Sequence, residues 1–529
     1  MTFSHADLIV LLATLLGVAT LLTLAPVTRV PYPILLVLGG LAFGVVPGMP
    51  HLSLPPDLVL IAVLPPLLYS AAFFTSLREL RRNLRPIALL SIGLVLATTL
   101  AVAVVAHVGV GLPWASAFVL GAVVSPTDPI AASEIAGRYG IPRRVITVIE
   151  GESLLNDGTG LVAYRVAVAA VVAGTFSPAE AGGRFVLTVL GGIAIGLAVG
   201  HVVRLVRRRL DDPPTEITIS LLTGYFAYLP AEALGVSAVL AAVTAGIYLG
   251  WHAPELTTVP QRLQGTAVWE IATFILNALL FTLIGLQLPT ILDSVSNRSS
   301  LGLIADAALV AVAVIAIRSV WIFPATYLPR ALSPRLRERD PAPPWQQPAL
   351  LAWCGMRGAV SLAAALALPL VTSGGDAFPG RDLIIFLTFG VILATLVGQG
   401  LTLPAVIGLL GLRDDGAGDR QEADARIHAA EAALARLAEL RDEEWVREET
   451  ATRLHGAYRF RVDRFQSRLD DVDDSAIEQR SAAFQRLRRE LLEAERAAII
   501  ALRSAGHIDD DIMHRVERDL DLEDARLDL

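Results

Sequence analysis

The sequence predicts an all-α polytopic membrane protein of about 13 transmembrane helices, followed by a cytoplasmic α-helical tail. Three observations carry that prediction. Hydrophobic residues make up 54% of the 529 and are gathered into long runs. The connections between those runs alternate between arginine-rich and arginine-poor. From about Asp414 the composition turns abruptly to dense charge. A soluble globular chain does not segregate apolar and charged residues in this way, whereas a bilayer-embedded chain with an aqueous appendage does.

Apolar windows of about 20 residues fall near 7–28, 31–48, 57–75, 86–108, 115–136, 145–173, 182–203, 215–230, 235–250, 267–289, 301–328, 347–370 and 382–410. The first, opening "MTFSHADLIVLLATLL", has neither a basic leader nor a small-residue cleavage site, and is expected to be a spanning helix. The eighth and ninth are short and are separated by Pro230 and Gly235. Arginine tests the count. Connections after odd-numbered windows carry Arg29; Arg78, Arg81, Arg82 and Arg85; Arg138, Arg143 and Arg144; Arg204, Arg207, Arg208 and Arg209; Arg262; and Arg330, Arg335, Arg337 and Arg339. Even connections carry only Arg184, Arg298 and Arg381. The positive-inside bias puts the odd connections and the tail in the cytoplasm and the N-terminus outside.

Composition also excludes. All 43 basic residues are Arg, so no chemistry runs through lysine. A single cysteine, Cys354, rules out an internal disulfide framework and any multi-cysteine metal site. The net charge of −8 arises largely in the tail and says little about a substrate. The apolar windows hold no Ser/His, paired-Asp or HExxH constellation and no nucleotide motif, so neither an enzyme nor a cofactor is expected, and no nucleic-acid partner.

Charged residues at bilayer depth cost about 2.5–3.5 kcal/mol each on insertion scales, so those that occur should face a protein interior or an aqueous cavity. The first cluster is "VVSPTDPIAASE", Val123 to Glu134, within the fifth window. Pro126 and Pro129 each remove a backbone donor and disfavour helix in the preceding residue. A short unwound stretch is expected, with free carbonyls near Thr127 and the carboxylate of Asp128. Broken helices of this kind build ion sites in secondary transporters. A simple proline kink with Asp128 as a local cap is the alternative.

The second cluster is "GESLLNDGTG", Gly151 to Gly160, in the sixth window. Helical spacing stacks Glu152 on Asn156 and Ser153 on Asp157. Ser153 and Asp157 offer oxygen ligands to a hard monovalent cation, with Glu152 and Asn156 as a supporting pair. A buried polar network without a ligand is the other reading. Arg357, bracketed by Gly355 and Gly358 in the twelfth window, is the expected partner of Glu152, because an unpaired arginine there would be costly. The broken fifth and glycine-interrupted twelfth windows would match if helices one to six and eight to thirteen were inverted halves. Arg165 and Arg318 are expected to snorkel or pair with acids, Glu270 and Asn277 to be structural, and His252 beside Trp251 to be an interface anchor. Glu134 and Glu150 would either line a negative funnel or be ordinary headgroup-level acids.

At these residues the chain resembles the NhaP and NHE type sodium/proton antiporters, the cation:proton antiporter family with an Asn-Asp pair. The resemblance rests on "LPPLLYSAAF" (64–73), "SPTDPIA" (125–131), "GESLLNDGTGLV" (151–162) and "GMRGAVSLA" (355–363), over roughly residues 7–410. It implies a homodimer whose protomers each contain two crossed, unwound helices. Asp157 would be the carboxylate that takes a cation or a proton, with Ser153 and the carbonyl of Thr127 as further ligands. Asp128 would face a half-helix terminus, and Asn156, Glu152 and Arg357 would form the network behind the site. Electroneutral exchange of one monovalent cation, Na⁺ before Li⁺ or K⁺, for one H⁺ across a bacterial plasma membrane is the implied activity. A K⁺/H⁺ antiporter is the alternative, and a cation sensor with an inactive transporter domain a third reading. One departure stands out. Ser70 occupies a position where many prokaryotic relatives carry an acid, so any ligand it supplies is an uncharged hydroxyl.

The domain division expected is 1–412 for the exchanger and 413–529 for the tail. In the tail, "EADARIHAAEAALARLAEL" places Ile427, Leu434 and Leu437 on one face. "SAIE" at 475–478 is a capping box opening a long helix, with Gly506 as its C-cap. No heptad register persists long enough for a coiled coil. Either a regulatory domain or a purely structural appendage fits.

Overall fold

The computed structural model describes residues 17–18, 20, 23, 30–45, 58–174, 178–296, 298–412, 414, 416–469 and 475–525. Among them the regular structure is helical, apart from one isolated antiparallel bridge between Val371 and Ala377. The chain divides into two compact units, Met1–Arg413 and Asp414–Leu529. Most of the first apolar window lies outside the described residues.

In the first unit, α1 (Tyr32–Gly44) has proline in its first turn, where the missing donor costs nothing. After α2 (Val59–Phe74) comes the short α3 (Leu77–Arg82), capped by Ser76, whose hydroxyl accepts the Glu79 amide. Next come α4 (Leu84–Val110), the half-helices α5 (Trp114–Val124) and α6 (Ile130–Arg138), and the long α7 (Arg143–Ala173). Then follow α8 (Pro178–Arg207), α9 (Pro213–Ala233), α10 (Ala238–Leu256) and α11 (Val259–Leu286). The unit is completed by α12 (Leu288–Ser294), α13 (Ser300–Leu332), α14 (Pro334–Arg339), the half-helices α15 (Gln346–Trp353) and α16 (Ala359–Leu366), and α17 (Arg381–Leu410).

The doubtful boundary between the eighth and ninth windows is a sharp stop. Gly235 takes a φ of 71°, and the Val236 amide reaches back to the carbonyl of Ala231. Five stretches among the described residues are long and apolar enough to cross a membrane: α4, most of α8, α11 with α12, α13 and α17. α7 falls outside that set because polar residues interrupt its apolar stretch.

Packing sorts the helices. α1 lies on α11, while α2, α8, α9 and α10 pack on one another. α4, α5 and α7 form a second set, which α13, α15, α16 and α17 complete. Small residues allow the closest approaches: a Cβ on Gly250 would lie 2.2 Å from the Phe73 carbonyl oxygen, and one on Gly246 2.7 Å from that of Tyr69.

The second unit contains α18 (Ala417–Leu440), α19 (Glu448–Leu469), α20 (Ser475–Ser504) and α21 (Asp510–Ala525). α18 and α19 close over Ala423, Ile427, Ala430, Val462 and Phe465, with Leu434 against that cluster. α20 begins at Ser475, but the side chains of its expected capping box lie outside the described residues. It ends at Gly506, φ 72°, where the His507 amide reaches the carbonyl of Leu502.

Candidate functional site at a helix crossing

Two chain breaks meet inside the first unit. One runs through Ser125–Pro129 between α5 and α6, the other through Cys354–Gly358 between α15 and α16. They are joined directly, the Asp128 amide donating to the carbonyl of Met356 over 2.7 Å. α7 passes alongside, and its glycines make room: a Cβ on Gly160 would lie 2.4 Å from the Pro126 ring. The glycine-rich wording of the second motif is thus a packing requirement of the first.

Thr127 is the hub. Its carbonyl accepts the Ser153 hydroxyl at 2.8 Å, and its own hydroxyl accepts the Asn156 amide at 2.8 Å. That hydroxyl donates to Glu152 at 3.2 Å. Glu152, 1% exposed, is held by both terminal nitrogens of Arg318, at 2.5 and 2.9 Å. The Arg318 Nε donates to the Leu351 carbonyl at 3.1 Å, tying α13 to α15.

The partner expected for Glu152 was Arg357, and the structure corrects it to Arg318. Arg357 is equally buried, but it serves backbone. Its Nε donates to the Val124 carbonyl at 3.0 Å, one guanidinium nitrogen reaches the Gly355 carbonyl, and its amide donates to the Thr395 hydroxyl at 3.1 Å. Unwinding at both breaks frees carbonyls in a low-dielectric interior, and Arg357 supplies donors to those of Val124 and Gly355. The other membrane arginine read from sequence, Arg165, pairs with Glu232 at 2.6 Å.

Asp128 sits at the crossing itself. Its Oδ1 accepts the Ile130 amide at 3.0 Å, at the start of α6. Its Oδ2 lies over Gly358, the residue preceding α16, where an added Cβ would come within 1.8 Å. The carboxylate therefore faces the N-termini of two half-helices, whose unpaired amides favour negative charge.

Asp157 differs from its neighbours. It is 8% exposed, and no hydrogen bond or ion pair to it occurs among the described residues. It lines a cavity of about 550 Å³ together with Ser153, Thr127, Asp128 and Ser70. Glu152 and Asn156 stand behind that wall. Ser70 is buried and donates to the Leu67 carbonyl at 2.9 Å, so its oxygen keeps lone pairs for the cavity. Glu150 also lines the cavity, whereas Glu134 is bound to Arg138 at 2.6 Å.

A polar stripe of α11, Glu270, Thr273 and Asn277, also lines the cavity. Their spacing of three and four is that of a single helix face, a signal present in the sequence, where Glu270 and Asn277 had only been given structural roles. The Asn277 Oδ1 is buried with no partner among the described residues.

Comparison with known proteins places the chain in a family. The family model described as "Sodium/hydrogen exchanger, transmembrane" matches residues 10–408. An uncharacterized Na⁺/H⁺ exchanger of Mycobacterium tuberculosis is 38% identical over 525 residues, 98% of this chain and 96% of that one. The Na⁺/H⁺ antiporter ApNhaP of Aphanothece halophytica is 34% identical, over 81% of this chain and 80% of its own. Among solved structures, the sodium proton antiporter MjNhaP1 of Methanocaldococcus jannaschii superposes with a TM-score of 0.62 at 20% identity, covering 77% of this chain and 99% of that one. The chain belongs to the sodium/hydrogen exchanger family, as an NhaP-type member.

Proposed function

We propose that the protein exchanges a monovalent cation, Na⁺ first, for H⁺ at Asp157, one for one and by alternating access. The observation that carries this is the state of the carboxylates at the crossing. Glu152 is paired with Arg318 and Asp128 with backbone amide, while Asp157, at the cavity wall, is the one of these three with no bond among the described residues. Removal from bulk water makes its charge expensive, so it holds either a proton or a partly dehydrated cation. Both occupants carry a single positive charge, which makes each half-cycle electrically equivalent.

Ser153, the Thr127 carbonyl and Ser70 would supply the remaining oxygens, a set suited to an alkali cation. The Ser153 hydroxyl would rotate off the Thr127 carbonyl to admit the ion. The cavity also touches Thr75 and Glu150, close in sequence to Arg78 and to Arg143, so it opens toward the arginine-rich side. On the positive-inside rule that side is the cytoplasm, which supports reading this state as inward-facing. Thirteen spans in two inverted halves, a homodimer in the inner membrane and a cytoplasmic tail complete this reading. A K⁺/H⁺ exchanger is the second reading, favoured by a 34% identical Bacillus pumilus relative named a sodium, potassium, lithium and rubidium/H⁺ antiporter.

Everted vesicles with an acid interior provide the test. Added Na⁺ should dissipate the gradient in the wild type and not in Asp157→Asn, and the order of Na⁺, Li⁺ and K⁺ would assign the cation. A variant as active as wild type would remove Asp157 from the mechanism. A gradient that no cation dissipates would favour the sensor reading.

A further inference from the structure

Away from the crossing, the arginine-rich end of the first unit carries an arrangement that transport does not use. Arg78 and Arg81, on the short helix α3, both place their guanidinium groups over the ring of Trp251 near the end of α10, at 5.9 and 5.8 Å from its centroid. Both arginines are exposed, and neither has a carboxylate partner among the described residues. The acid on the same helix, Glu79, faces the other way, accepting from Arg143 at 3.2 Å and from the Thr147 hydroxyl at 3.0 Å.

Two like charges converging on one indole repel each other, and cation–π attraction of about 1 kcal/mol at an exposed site does not compel both to gather there. An anion between them would. The surroundings indicate which anion. Trp251 is 46% exposed, and Leu84, just beyond α3, is 53% exposed. An amphipathic ring and, three residues on from Arg81, an uncovered leucine at the end of an apolar helix make up the composition of the headgroup level of a bilayer. A soluble anion would gain nothing from the apolar part. We infer that Arg78, Arg81 and Trp251 form a binding site for the phosphate of an anionic phospholipid, with the indole as the floor and the acyl chains running down past Leu84.

The test uses the full chain in detergent, titrated with phosphatidylglycerol or phosphatidylcholine and read by native mass spectrometry. The wild type should hold one phosphatidylglycerol in preference to phosphatidylcholine. Arg78→Gln/Arg81→Gln should weaken that one lipid about thirtyfold, since each basic residue near a membrane surface is worth about fivefold. Trp251→Leu keeps both charges and should weaken it by a smaller factor, so the site remains testable if the double variant does not fold. Arg209→Gln removes an exposed arginine from the same end and should leave the lipid bound. Equal loss in Arg209→Gln would mean diffuse attraction by the whole basic rim and would overturn the site, as would unchanged binding in both the double variant and Trp251→Leu.

Discussion

At the scale of single residues, the Glu152–Arg318 pair decides whether the crossing can exist. Both side chains are at most 2% exposed, so removing one partner leaves a buried charge unanswered. Arg318→Met should therefore destabilise the purified protein by about 3–5 kcal/mol, read as a fall in melting temperature in detergent. Adding Glu152→Gln should restore much of it, because the uncompensated charge goes too. Arg357→Met behaves differently: it strands carbonyls rather than a carboxylate, and Glu152→Gln should not rescue it. The sequence showed the acid and both arginines in apolar windows, and the choice of Arg357 as its partner was wrong. Charge is the same on both, and the choice depends on which guanidinium the crossing leaves facing Glu152 and which facing the free carbonyls of Val124 and Gly355. That Ser153 and Asp157 reach the cavity together was legible for a simpler reason, since i, i+4 spacing on one helix fixes their faces without any tertiary knowledge.

At the scale of elements, glycines set how closely helices and breaks approach. Gly358 has an extended φ of −136°, so an alanine there meets no backbone strain, but its Cβ would displace the Asp128 carboxylate from the start of α16. Gly358→Ala should lower exchange in the vesicle assay far more than it lowers melting temperature, because the change falls on the electrostatics of the crossing rather than on the core. Gly250→Ala should do the reverse. Its Cβ would meet the backbone of Phe73, so α2 and α10 must part, at a cost of about 1–3 kcal/mol, while the crossing is untouched. The breaks themselves were readable from Pro126, Pro129, Gly355 and Gly358, which punctuate otherwise apolar runs. Their direct bond, from the Asp128 amide to the Met356 carbonyl, joins residues more than two hundred positions apart and has no local signature. That the α11 residues Glu270, Thr273 and Asn277 line the cavity was not legible for a related cause, since it depends on which helices the crossing leaves around it.

At the scale of the whole transmembrane unit, Asp340 in the connection between α14 and α15 gathers three helices. Its carboxylate accepts from Arg85 at the start of α4, from Arg144 at the start of α7 and from Arg330 near the end of α13, each at 2.7 Å. Arg330 also donates to the Asp340 carbonyl at 3.0 Å. All three helices belong to the set that holds the crossing, so the clamp fastens them at one end, and under the proposed rocking mechanism it would let them move as a block. Partial burial works against ionisation of Asp340, but the bonds and charges of Arg144, Arg330 and Arg85 outweigh it and hold the carboxyl below the ordinary range. A depressed carboxylate stabilises the folded state fully above its unfolded value, about 4, and loses that contribution only as pH falls through the lower folded value. The clamp is therefore closed throughout the physiological range and plays no part in any pH response there. Asp340→Asn should accordingly lower the melting temperature by the same amount at pH 6 and pH 8, corresponding to about 1–3 kcal/mol for a partly solvated cluster. In vesicles it should slow exchange while leaving the half-saturating Na⁺ concentration unchanged, since no ligand is moved. A shift in half-saturation with an unaltered maximal rate would mean that Asp340 acts on the ion site and not on the block.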